Sequence, residues 1–128
     1  MSFCSRERIE LGKEGEAIAL KFLLDKGYKL IARNYLVSHW GEIDLVMQDS
    51  NYLVFVEVRT KRNTIYGTPL ETVNHEKRRQ IIKMARIYMT KENVSPDTFC
   101  RFDVVGIILP RDGKPQIEYC KDAFILGD

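Results

Sequence analysis

Long apolar runs are missing from this 128-residue chain: none approaches the roughly 18 residues that a membrane helix needs. A bilayer is therefore not an expected partner. Cysteine is scarce too, with only Cys4, Cys100 and Cys120. An odd number without Cys-x-x-Cys spacing argues against a disulfide framework and for a reduced, cytoplasmic setting. Only Cys100 and Cys120, on neighbouring strands, are left as a conceivable pair. The two histidines, His39 and His75, lack the spacing of zinc ligands and are expected to be structural or solvent-facing. At the N-terminus Met-Ser-Phe-Cys-Ser runs straight into Arg6, Glu7 and Arg8, with no apolar region of a signal peptide. Repeats, low-complexity tracts and linker-like stretches are absent, so one domain over residues 1–128 is expected.

What is present is an ordinary globular composition, 45% hydrophobic and 30% charged, with an uneven charge distribution. The formal net charge is +2, but residues 59–91 carry +7 and leave −5 for the remainder. Such asymmetry suits either a polyanionic partner on one face or a solvated helix surface. Periodicity and turn residues predict a helix over 6–26, ended by Gly27, and strands over 28–37, 42–48 and 52–60. A loop with Gly67 and Pro69 follows, then a helix over 75–90 capped by Asn74, a strand over 99–109 and an edge strand starting at 116–119. The order αβββαββ implies a mixed α/β sheet. Its first three strands are antiparallel, and a right-handed crossover joins parallel neighbours 52–60 and 99–109.

The strongest chemical signal is the hairpin. A turn centred between Ser50 and Asn51 sets Asp44 directly opposite Glu57, and Glu42 opposite Arg59. One face then carries Ile43, Leu45, Met47, Val54, Val56 and Val58. The other carries Val46, Leu53 and Phe55 at one end and the four charged residues at the other. Two opposed carboxylates repel unless a proton or a cation lies between them. The alternative is a solvated cluster, or a Glu42–Arg59 pair with Asp44 and Glu57 exposed. On the first helix Ile9, Gly12, Glu16, Ala19, Leu20 and Leu23 share a face, with Glu16 inside the stripe and Gly12 allowing close approach to the sheet. A competing stripe, Leu11, Ile18 and Phe22, would leave Glu16 wet. Oxygen ligands of this kind suit Mg²⁺ or Mn²⁺ and phosphate chemistry. On the second helix Arg79, Lys83 and Arg86 form a basic stripe opposite Ile81, Met84, Ala85 and Tyr88. With Lys61, Arg62 and Lys77 it offers nonspecific phosphate contacts.

The segments Gly41-Glu42-Ile43-Asp44-Leu45 and Val54-Phe55-Val56-Glu57-Val58 resemble the PD-(D/E)xK nuclease pattern. More closely, the chain is similar to the YraN-like family of bacterial proteins, which is related to archaeal Holliday-junction resolvases. That likeness runs through Gly15-Glu16 with Ala19, Gly27-Tyr28, Arg33-Asn34-Tyr35, the hairpin, Gly67-Thr68-Pro69, Lys77 and Arg101-Phe102-Asp103-Val104-Val105. The resemblance implies a restriction-endonuclease-like fold, a mixed β-sheet flanked by helices. It also implies a metal-dependent endonuclease in which Glu16, Asp44 and Glu57 hold Mg²⁺ or Mn²⁺. Nucleic acid, DNA before RNA, is the implied partner, and a homodimer stays open. In the family pattern a lysine two residues after the glutamate contacts the attacking water or the scissile phosphate. Here that position is Arg59, which grips phosphate but cannot act as a base. Lys61, next on the same strand face, is the possible helper. A scaffold that binds nucleic acid without cutting it, and a protein-interaction module, are the alternatives.

Overall fold

Several elements start or stop where local chemistry predicts, although α1 begins at Ser2 and not at the expected Arg6. The Asn74 side chain accepts the Lys77 N–H at 2.9 Å and so opens helix α2, His75–Lys91. Gly27, at φ 93°, follows the end of helix α1, Ser2–Asp25, and turns the chain into strand β1, Lys29–Val37. Ser50, at φ 54°, sits in the tight turn between β2, Gly41–Asp49, and β3, Tyr52–Lys61. Strand β4 is Phe99–Ile108 and β5 is Gln116–Phe124. The structure, a computed structural model, describes residues 2–125, with side chains from residue 5 onward. Cys4 therefore falls outside the described side chains, whereas Cys100 and Cys120 are both free thiols, not a pair.

The five strands form one sheet in the order β1-β2-β3-β4-β5. Pairing is antiparallel except between β3 and β4, which are parallel and joined through α2. This is the mixed α/β sheet expected from the sequence. A short 3-10 turn, Leu70–Thr72, was not anticipated in the loop before α2. Helix α1 covers one face, where Ala19 and Leu23 pack with Leu45, Met47, Val54, Val56, Val105 and Ile107. Helix α2 covers the other, where Ile81, Met84, Ala85 and Tyr88 meet Val46, Phe55, Phe102 and Val104. Burying an apolar side chain of this size is worth about 1.5–3 kcal/mol, so both helices are held mainly by their apolar stripes.

Two details of α1 differ from expectation. Its buried stripe runs through Gly15, Ala19 and Leu23, so Ala19 and Leu23 of the first expected stripe are buried, while Ile9 of that stripe is 59% exposed. The glycine at the close approach is Gly15: a Cβ there would fall 1.8 Å from Thr60 Oγ1, whereas one at Gly12 would meet nothing within 4 Å. Glu16 consequently lies on the flank of the stripe, half-buried, and not at its centre.

At the end of the sheet nearest the β2–β3 turn, a buried network pins the strands. Arg101 donates to Asp103 from Nε at 2.9 Å and Nη2 at 3.0 Å, and to Asp49 from Nη1 at 2.8 Å. Burial works against the Arg101 charge, but its hydrogen bonds to Asp103 and Asp49 raise its pKa overall. Asp103 also accepts the Tyr119 hydroxyl and, at 2.9 Å, the Asp122 N–H. The Asp122 contact lies beside the register shift of the β4–β5 pair between Phe102 and Val104.

Candidate functional site

At the opposite end of the hairpin β2 and β3 part company. Their ladder follows the expected register from Asp49–Tyr52 to Leu45–Val56 and stops there. Asp44 does not pair across to Glu57 as a backbone rung, and Glu42 pairs with Leu36 of β1, not with Arg59. The Asp44 carboxylate instead reaches over and accepts the Val58 N–H at 2.8 Å. A side chain thus replaces a rung, and the end of β2 follows β1. Ile43, expected beside Leu45 and Met47, accordingly packs with Val37, Val46 and Phe55 on the α2 side.

The carboxylates still act on one another. Burial, then the charge of Glu57, push the Asp44 carboxyl up to about 8; a hydrogen bond with Glu57 and the charge of Glu16 add to the rise, and only the Val58 N–H opposes it. Negative charge here is therefore under-compensated, the condition in which a carboxylate pair takes up a proton or a cation. Glu57 is buried and meets two cations, Arg59 Nη1 at 3.4 Å and Lys77 Nζ at 3.5 Å. Arg59 is further held by its Nε donating to Thr72 Oγ1 at 2.8 Å. Glu16 accepts from Asn34 Nδ2 at 2.7 Å. Each carboxylate has a donor of its own, and among the described residues no group of three or more His, Cys, Asp or Glu side chains is arranged to hold a metal ion. Beside them opens a cleft of about 400 Å³, lined by Arg8, Gly12, Glu16, Arg59, Lys61 and Thr72 among others. Three cations, Arg8, Arg59 and Lys61, line it together with one carboxylate, Glu16.

The sequence model described as "Uncharacterised protein family UPF0102" matches residues 15–107. The chain belongs to the UPF0102 family. A UPF0102 protein of Geotalea daltonii is 42% identical over 117 residues, covering 91% of each chain. One of Natranaerobius thermophilus is 41% identical over 113 residues, 88% of this chain and 95% of the relative. One of Clostridium botulinum is 35% identical over 125 residues, 97% of this chain and 98% of the relative. The likeness to the YraN-like group read from the sequence motifs is borne out at the level of the family.

In this UPF0102 chain the family match spans Glu16, Asp44, Glu57, Arg59, Lys61 and the whole of α2. The structure gathers these residues unevenly. Lys61, expected as a helper beside Arg59, directs its Nζ to the carbonyls of Gly67 at 3.2 Å and Tyr66 at 3.4 Å, so it braces the loop before α2. Arg62 donates to the Leu109 carbonyl at 3.2 Å and ties β3 to the end of β4. Lys77, expected as a nucleic-acid contact, stands at Glu57. A signal for this was in the sequence: a lysine in the first turn of a helix opposes the helix dipole and calls for a carboxylate elsewhere. Asn34 sits at φ 49° within β1, a conformation that asparagine tolerates better than most residues. Arg79, Lys83 and Arg86 stay exposed on one face of α2, as expected. His39 and His75 are both exposed. Among the described residues no helix is long and apolar enough to cross a membrane.

Proposed function

We propose that this chain is a nuclease-like domain that hydrolyses phosphodiesters in nucleic acid, DNA before RNA, with a divalent Mg²⁺ or Mn²⁺ ion at Asp44 and Glu57. The observation that carries the reading is the under-compensated Asp44–Glu57 pair at the open end of β2–β3, with cations flanking it. The chemistry of the donors suits the ion, since carboxylate oxygens are what a hard cation that keeps part of its water takes, although the three carboxylates are not gathered around one point in this structure. Glu16 completes the set once it exchanges Asn34 for the ion or for a bridging water. When bound, such an ion lowers the pKa of a water and neutralises charge that develops on the phosphate. Arg59 supplies a permanent positive charge to a phosphate oxygen, with its guanidinium anchored on Thr72. Lys77 provides, from α2, the ammonium that the strand position lacks. It meets Glu57 at 3.5 Å, and the role proposed for it is to meet the attacking water or the leaving oxygen. Asp44, hydrogen-bonded to the Val58 backbone, is oriented before any ligand arrives.

A second reading is a scaffold that binds nucleic acid without cutting it. It is favoured by Arg59, which stands where the motif has lysine and is already engaged by Glu57 and Thr72. Incubating the protein with branched, single-stranded and duplex substrates, with and without Mn²⁺, separates the two. Cleavage that needs Mn²⁺ and disappears in Asp44→Asn supports the enzyme. Binding without cleavage of any substrate supports the scaffold.

A further inference from the structure

Trp40 is the single tryptophan of the chain, and it stands at the surface with 43% of its area exposed. What sets Trp40 apart from the other exposed apolar side chains is the set of contacts around it. The β1–β2 turn that presents it passes through His39 at φ 69° and Gly41 at φ 126°, and the Trp40 N–H is bonded to the Val37 carbonyl at 2.9 Å. Its own carbonyl accepts the Gln80 side-chain amide, which ties the turn to α2. Lys83 holds its ammonium 5.8 Å from the ring centroid. Trp40 and α2 enclose a cleft of about 510 Å³, lined also by Glu76, Arg79, Ile82, Lys83 and Arg86. Three cations stand there against one carboxylate, beside an aromatic ring fixed by its backbone.

We infer that this cleft binds an unpaired nucleotide of a nucleic-acid strand, with its base stacked on Trp40 and its phosphates on Arg79, Lys83 and Arg86. An aromatic ring bordered by cations offers both interactions that single-stranded nucleic acid takes: a π-face for a base and charge for the backbone. A fully paired duplex keeps its bases stacked on one another and has none to offer the ring. Trp40 stands in the turn that opens β2, the strand that carries Asp44, and α2, which lines the cleft, also supplies the Lys77 that meets Glu57. The inference deepens the nucleic-acid reading above and rests on it: it names substrates with an unpaired segment, such as overhangs, flaps or gaps, as the preferred class.

The intrinsic fluorescence of Trp40 reports the event directly. Oligothymidylate should quench it, whereas a blunt duplex of equal length should not. Trp40→Ala should lose about 5- to 150-fold in affinity for oligothymidylate, measured by anisotropy of a labelled strand, because stacking one base is worth about 1–3 kcal/mol. Its duplex affinity should not change, and Trp40→Phe should recover most of the loss. Circular dichroism of the variants checks that each is folded. Equal affinity of wild type and Trp40→Ala for oligothymidylate overturns the inference while leaving the nuclease reading standing if Mn²⁺-dependent cleavage of duplex persists. No binding of any nucleic acid overturns both. Polyglutamate that quenches Trp40 as well as oligothymidylate does overturns the inference in favour of an acidic protein partner.

Discussion

Replacing Asp44 with asparagine tests the electrostatics of the site in the cation-free protein. Asparagine keeps the acceptor for the Val58 N–H and removes the titration. In wild type the folded state holds a proton on Asp44 up to about pH 8, whereas an unperturbed carboxyl with pKa 3.8 has released it well before. The folded state then binds more protons than the unfolded one, so stability falls as pH rises from about 4 to about 8 and is level above. Between pH 5 and 7 the full effect of one proton is about 2.7 kcal/mol, and part-exposure of Asp44 brings the expected value to about 1–2 kcal/mol. Urea unfolding at a series of pH values should show wild type losing this much stability relative to Asp44→Asn. Mn²⁺ at pH 8 should then stabilise wild type alone, by about 2.7 kcal/mol at a hundredfold excess over Kd. Wild-type and variant profiles that run parallel from pH 5 to 8 would refute the argument, because Asp44 would then carry no displaced proton.

The remaining predictions touch the helix, the cations and the basic face. Gly15→Ala should destabilise by about 1–3 kcal/mol through the clash with Thr60, with recovery in a Gly15→Ala, Thr60→Ala double variant, whereas Gly12→Ala should stabilise by about 0.5–1 kcal/mol. Thermal or urea melts read both. If Arg59 serves as phosphate anchor, Arg59→Ala should raise the cleavage barrier by about 2–4 kcal/mol, the range for losing one preorganised donor, read as single-turnover rates under saturating Mn²⁺. Equal rates in wild type and Arg59→Ala would remove Arg59 from the mechanism. Changing Arg79, Lys83 and Arg86 together to glutamine should flatten the slope of log K against log salt by about 2–3 for duplex DNA. An unchanged slope would leave the stripe as solvated surface.

Much of the fold was legible because its signals are local. Asn74 before a helix, Gly27 after one, and a two-residue turn at Ser50 and Asn51 each act within a few residues, and so all appear where periodicity put them. The hairpin register was likewise readable, because the turn alone sets it between Leu45 and Asp49. The backbone ladder stops short of Asp44, where the carboxylate itself accepts the Val58 N–H, a side-chain contact that the turn cannot specify. Which glycine of α1 makes the close approach to the sheet was also illegible. It depended on Gly15 meeting Thr60, a contact between residues 45 positions apart that helical periodicity cannot express. Lys77 and Lys61 took up unexpected partners for a related reason. Long flexible cations settle on whichever carboxylate or carbonyl the tertiary fold brings near, and sequence spacing is silent on that.

The sheet is thus fastened at one end by Arg101 and left open at the other, where the Val58 amide hangs on a titratable side chain and not on a carbonyl. That amide is a built-in spectroscopic reporter. Its proton shift and solvent-exchange rate follow the ionisation of Asp44, while amides two rungs back, within the Phe55–Val46 pairing, do not. A single resonance in a two-dimensional NMR spectrum then reads the state of the carboxylate pair: neutral, charged or bound to a cation. It does so without any substrate.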